Sequence, residues 1–138
     1  GKQEPKQPSR AEEKPYRILL AEDNALNAEI ALELLKGAGF LVEHAADGQA
    51  CVDMLSRAEE GYYDLILMDV QMPILNGYEA TKKIRQLENR KKAEIPILAM
   101  TANAFSEDQQ AALELSMKKH VAKPIDMNVL LRVMMKYL

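Results

Sequence analysis

From Pro15 onward, hydrophobic and polar positions fall into two alternating rhythms. Short, nearly continuous apolar runs have the length of strands. Between them lie longer stretches whose apolar residues recur every three or four positions, as on one face of a helix. Residues 16–21 (YRILLA) predict a strand. Residues 24–36 predict an amphipathic helix with Leu26, Ile30 and Leu34 at i, i+4 and i+8, stopped by Gly37 and Gly39. Residues 41–45 alternate and predict an edge strand, and residues 49–58 bring Cys51, Met54, Leu55 and Ala58 to one helical face. Residues 65–68 (LILM) are apolar throughout, as a strand covered on both sides requires. Residues 77–87 place Ala80, Ile84 and Leu87 at helical spacing, and residues 97–100 read as another apolar strand. Ser106 and Gln109 form a capping box for a helix through Leu115, residues 120–122 a short last strand, and Asp126 a cap for a helix reaching Leu138.

The order is strand then helix, five times over. Such alternation predicts the α/β class, a doubly wound parallel sheet of five strands with helices on both faces. Residues 1–14 break the rhythm with two prolines, many charges and one small apolar side chain. That is too little apolar surface to offset the entropy of ordering them. Residues 1–15 therefore read as a linker or cloning remnant, and residues 16–138 as one domain. A chain of 138 residues, 48% apolar and 28% charged, is suited to a single globular core.

Charge and composition remove several function classes. With 18 basic and 21 acidic side chains the net charge is −3, so no basic excess supports direct nucleic-acid binding. No apolar stretch approaches the ~18–20 residues of a membrane span, and the N-terminus lacks the apolar core of a signal peptide. Cys51 stands alone, which excludes an internal disulfide and fits a reduced, cytoplasmic setting.

The chemistry gathers at the strand ends, where open α/β sheets bind ligands. Glu22 and Asp23 follow the first strand, Asp69 the third, Thr101 the fourth, and Lys123 with Pro124 the fifth. Three carboxylates at one edge repel each other unless a cation intervenes. A hard divalent ion such as Mg²⁺ takes one or two carboxylates together with waters and phosphate oxygens. A carboxylate can attack phosphorus to give an acyl phosphate, and a metal offsets the charge that gathers there. Thr101 can donate to one phosphoryl oxygen and Lys123 can pair with another. Singly, each residue has a plainer reading: a turn aspartate, a capping pair at Glu22-Asp23, a loop hydroxyl, a solvated lysine. Their joint occurrence at four strand ends favours a shared site.

The stretches LLAEDN, LILMDVQMPILNGYEATKKIR, PILAMTANA and HVAKPID resemble, in order and spacing, the motifs of response-regulator receiver domains of two-component signalling. The likeness runs from about Tyr16 to Leu138 and is greatest to the C-terminal receivers of hybrid sensor histidine kinases. The resemblance implies a flavodoxin-like strand order 2-1-3-4-5, with Asp69 as phosphoacceptor. It also implies Mg²⁺ bound by Asp23, by Asp69, by the backbone carbonyl of Gln71, and by Glu22 through a water. Thr101 would be the switch hydroxyl, His120 the residue that turns inward with it, and Lys123 the phosphoryl contact, with a cis bond to Pro124. The Gln71 and Asn103 side chains would flank the phosphoryl site. Implied partners are a histidine kinase or a histidine phosphotransfer domain. Such a domain assists its own phosphorylation and hydrolysis without turning over free metabolites.

Other features carry less. His44 lies near an edge-strand end with no evident chemistry, Cys51 reads as inert core, Met72-Pro73 as a loop-shaping pair, and Arg90-Lys91-Lys92 as a solvated loop. The final helix is apolar at most positions except the stripe Asn128, Arg132 and Lys136. Either the last two helices and the last strand form a partner or homodimer surface, or that helix packs more deeply than average. Competing readings are a free-standing regulator, a protein-binding pseudo-receiver that takes no phosphate, and a phosphatase with an aspartyl nucleophile. The phosphatase is disfavoured by Gln71, which stands where a second aspartate would serve as acid.

Overall fold

A computed structural model of the chain describes residues 15–70, 72, 74–101, 117–123 and 125–138. Five strands, β1 (Arg17–Ala21), β2 (Leu41–Ala45), β3 (Leu65–Asp69), β4 (Ile97–Thr101) and β5 (Lys119–Ala122), make one parallel sheet in the order β2-β1-β3-β4-β5. The described helices are α1 (Ala25–Gly37), α2 (Gly48–Arg57), α3 (Gly77–Arg85), a single turn α4 (Arg90–Ala93), and α5 (Met127–Met134). The expected fold and strand order are both present. The helix expected over residues 106–115, the linker over residues 1–14, and the Gln71, Pro73, Asn103 and Pro124 assignments lie outside the described residues.

The continuous apolar runs are explained by burial on both faces of the sheet. Along β1 and β3, Leu19, Ala21, Ile66 and Met68 point to one layer with Cys51, Val52, Leu55 and Ile84 of α2 and α3. Ile18, Leu20, Leu65 and Leu67 point to the other, with Ala28, Ala31 and Leu35 of α1 and Leu130 and Met134 of α5. Strict alternation in a strand sends successive side chains to opposite layers, so both sets must be apolar.

Three local expectations need correcting. On α1 the buried face is Ala28, Ala31 and Leu35, whereas Leu26 is 65% and Ile30 49% exposed. Small alanines let the helix lie close to the sheet, and the larger stripe is turned to solvent. Residues 90–92 belong to the turn α4 rather than a loop; Asn89 caps it, accepting from the Lys92 amide at 3.1 Å. Arg85 fastens the same turn by donating to the carbonyls of Ala93 and Ile95 at 2.6 and 2.8 Å. Asp69 closes β3 and Thr101 closes β4 instead of following them. The deeper-packing reading of the last helix accounts for most of its apolar positions: Leu130 and Met134 are buried, and Met127, Leu131, Val133, Tyr137 and Leu138 pack against that layer. Val129 and Met135 remain exposed. Among the described residues, no helix is long and apolar enough to cross a membrane.

Candidate functional site

Strand order reverses between β1 and β3, each of which has its next neighbour on the opposite side. Parallel strands deliver their carboxyl ends to one edge, so Glu22 and Asp23 after β1 and Asp69 at the end of β3 converge there. One carboxylate oxygen from each of the three lies within 4.8 Å of the others. Glu22 and Asp69 are buried, at 3% and 2% exposure, while Asp23 faces solvent. Lys123, which follows β5, reaches back along the edge. Its Nζ donates to Asp69 Oδ2 at 3.0 Å and sits 3.3 Å from Glu22 Oε1. Thr101, at the end of β4, is buried, and its carbonyl accepts from the Lys123 amide at 3.0 Å. Of the residues expected at the site, Glu22, Asp23, Asp69 and Lys123 are thus brought together, with Thr101 on the neighbouring strand end. His120 lies on β5; its side chain and all of Gln71 lie outside the described residues.

Local capping fixes the acidic turn. Asn24 is the N-cap of α1, its Oδ1 accepting from the Asn27 amide at 2.9 Å, so the Glu22-Asp23 pair is free of that task. The Asn24 amide donates to Glu22 Oε2 at 3.1 Å. On the β3 side, the Val70 amide donates to the Met100 carbonyl and the Gly77 amide to the Val70 carbonyl, at 3.2 and 3.1 Å. Asn76 and Glu79 cap α3 reciprocally, with bonds of 2.9 and 3.2 Å.

Two glycines set the spacing of this edge, and the sequence patterns did not single them out. A Cβ on Gly77 would lie 2.5 Å from the Asp69 carbonyl oxygen and 2.7 Å from Val70 Cα. A Cβ on Gly48 would run into the Leu75 carbonyl. Both helices therefore start hard against the loop that leaves Asp69. In that loop Ile74 adopts φ +69° and is 80% exposed, a costly backbone for a β-branched side chain.

The electrostatics suit a hard cation. Burial raises the Glu22 pKa above the ordinary carboxylate value, and Asp69 adds to it, against the opposing Asn24 amide and Lys123. Burial pulls the Lys123 ammonium down, but Asp69 and Glu22 outweigh it and leave its pKa raised. Among the described residues, three carboxyl groups face one ammonium at this edge, an acidic excess. An all-oxygen donor set with that balance fits Mg²⁺.

The comparisons with known proteins agree with this geometry. The model of the response regulator receiver domain family matches residues 18–135. The chain belongs to the response-regulator receiver family. It is 41% identical over 121 residues to hybrid signal transduction histidine kinase I of Dictyostelium discoideum, covering 86% of this chain and 7% of that one. It is 40% identical over 129 residues to histidine protein kinase 1 of Candida albicans, covering 88% and 5%. This receiver chain thus spans a small fraction of those relatives. Among solved structures it is similar to the receiver domain of a sensor histidine kinase from Pseudomonas aeruginosa, which holds a magnesium ion in its active-site cleft. That match has TM-score 0.79 and 37% identity, and covers 89% of this chain and 97% of that one. A chemotaxis protein of Vibrio cholerae matches with TM-score 0.80 at 26% identity, over 90% and 99% of the two chains.

Proposed function

We propose that Asp69 of this receiver accepts a phosphoryl group from a phosphohistidine and that the resulting acyl phosphate switches a protein-binding surface. The observation that carries the reading is the convergence of Glu22, Asp23 and Asp69 within 4.8 Å, with Lys123 bonded to Asp69. Glu22, Asp23 and Asp69, with the Gln71 carbonyl, would hold Mg²⁺. When bound, Mg²⁺ supplies positive charge that offsets the attacking carboxylate and the phosphoryl oxygens. An Asp69 carboxylate oxygen attacks phosphorus; the P–N bond to the donor imidazole breaks, and the freed imidazole nitrogen keeps the electron pair and takes up a proton. Lys123 leaves its carboxylate partner to pair with a phosphoryl oxygen, and the Thr101 hydroxyl donates to another. Those new bonds bias an existing two-state equilibrium, in which Thr101 moves toward the phosphoryl group and His120 follows.

The donor fits a helical protein presenting its histidine: a histidine phosphotransfer domain or a histidine kinase. Support comes from α1, which begins two residues after Asp23 and turns Leu26 and Ile30 to solvent. Ile74, on the loop after Asp69, adds a third exposed apolar side chain. Apolar surface held open beside a reactive carboxylate suits docking of the donor. The hybrid signal transduction histidine kinase among the named relatives supports a place in a hybrid-kinase phosphorelay. Self-association through β5, α5 and residues 106–115 has narrower support, the exposure of Val129 and Met135; sedimentation with and without an acyl-phosphate mimic tests it.

Incubating the chain with a small acyl-phosphate donor, with and without Mg²⁺, tests the central reading. Uptake that requires Mg²⁺ and disappears in Asp69→Asn supports it. No uptake by the wild type would instead favour a pseudo-receiver.

A further inference from the structure

Glu22 stands where the β1–β2 ladder ends, because the last paired residues are Ala21 and Ala45. Its amide is still met by β2, donating to the Ala45 carbonyl at 3.1 Å. Its carbonyl lies one step beyond the paired strand, and a buried carbonyl requires a donor. The His44 side chain supplies it: Nε2 lies 2.7 Å from the Glu22 carbonyl oxygen. A carbonyl only accepts, so the proton in this bond belongs to His44 Nε2. The ring itself is exposed at the edge of the sheet and does not join the acidic cluster.

Among the described residues, three hydrogen bonds on Glu22, beside its ion pair with Lys123, hold the turn from which the two carboxylates project. Ala45 takes the Glu22 amide, the Asn24 amide bonds back to the Glu22 carboxylate, and His44 takes the Glu22 carbonyl. Of these three, the His44 bond alone comes from a side chain outside the turn, and it meets the main chain, whereas Lys123 reaches the Glu22 carboxylate. The His44 bond can be removed without touching an acidic group. Glu22 and Asp23 are consecutive, so rotation of the peptide between them would re-aim both side chains.

We infer that His44 is a positioning residue for the divalent-cation site: its imidazole donates to the Glu22 carbonyl and fixes the main chain that aims the Glu22 and Asp23 carboxylates. This rests on the reading of Glu22, Asp23 and Asp69 as a Mg²⁺ site. Partners that orient metal ligands commonly change affinity by ~10–100-fold when removed. His44 acts through the main chain, so about three- to tenfold is expected.

The test compares the wild-type chain with His44→Ala, His44→Phe and His44→Gln. Mg²⁺ alone is titrated in and followed through the backbone amide resonances around Asp23 and Asp69. A urea midpoint measured in chelator reports the fold separately. Weaker Mg²⁺ binding in His44→Ala and His44→Phe, with His44→Gln close to wild type because its amide restores a donor, supports the inference. Unchanged Mg²⁺ affinity in His44→Ala and His44→Phe overturns it, even if the urea midpoint falls, since the ring would then only close the sheet edge. His44→Gln as weak as His44→Ala also overturns it. Wild type that binds no Mg²⁺ removes the site reading and the inference together, an outcome distinct from the other two.

Discussion

Replacing Gly77 by alanine should destabilise the domain, although helix propensity alone predicts the opposite. Gly77 is the first residue of α3, and alanine's advantage over glycine inside a helix, about 0.5–1 kcal/mol, is the most it could gain there. The added methyl would meet the Asp69 carbonyl oxygen at 2.5 Å, Val70 Cα at 2.7 Å and Met68 Cγ at 3.0 Å. The first two neighbours are backbone, and the Gly77 amide is itself bonded to the Val70 carbonyl. The clash is relieved only by moving α3 or the chain leaving Asp69, and overpacking of this kind costs ~1–3 kcal/mol. Set against the propensity gain, a net loss of up to about 2.5 kcal/mol is expected. Gly37→Ala serves as the control, because nothing lies within 4 Å of its added Cβ; it should stabilise by up to about 1 kcal/mol. Urea unfolding of both variants gives the difference directly. Because the strain falls on the main chain of Asp69, Gly77→Ala should also weaken Mg²⁺ binding, while Gly37→Ala leaves it unchanged. Gly77→Ala as stable as wild type, with unaltered Mg²⁺ affinity, would refute the reasoning.

Leu26→Ser combined with Ile30→Ser should leave stability within about 0.5 kcal/mol and leave labelling by a small phosphodonor intact, yet slow transfer from a phosphohistidine protein; Leu35→Ala, on the buried face, should cost ~2–5 kcal/mol in urea unfolding. Glu43 accepts from Tyr62 and Tyr63 hydroxyls at 2.5 and 2.6 Å beside Arg17. Burial opposes its ionisation, but these partners prevail and hold its pKa below the ordinary 4.5. A carboxyl depressed in the folded state contributes stability above its unfolded pKa and loses it as pH falls through the folded one. The acid limb of a stability profile below pH 4.5 should therefore flatten when Tyr62 and Tyr63 are both phenylalanine; an unchanged limb would show that the hydroxyls do not hold the charge. Cys51 is fully buried and its thiol is pushed up to about 12, so a thiol reagent at neutral pH should label it only as fast as the domain opens, and labelling that outpaces unfolding would contradict that packing.

The fold was legible because β1, β3 and β4 are apolar on both faces, which only a sheet covered on both sides explains. The candidate site was legible because polar residues gather together at four strand ends of one sheet edge, although each alone has a plainer structural reading. What the sequence concealed depends on contacts between distant segments. Leu26, Ile30 and Leu34 share a helical stripe, but so do Ala28, Ala31 and Leu35, and period alone does not say which stripe meets the sheet. The alanines win because their size permits close approach. Asn89 before a lysine-rich stretch was a usable sign of the α4 cap. No local pattern marks His44, whose partner lies 22 positions away, or Gly77, whose constraint is the backbone of Asp69.

The central claim is that Asp69 is the atom donor to phosphorus among three neighbouring carboxylates. It is tested most directly by phosphorylating the chain with a small acyl-phosphate donor and Mg²⁺, trapping the product with borohydride, and sequencing the peptides by mass spectrometry. Borohydride reduces an aspartyl phosphate to homoserine. Homoserine at position 69, dependent on Mg²⁺, is the predicted result. Reduction at position 23 or 22 instead, or a phosphoryl group recovered on His44 or His120, would contradict the account.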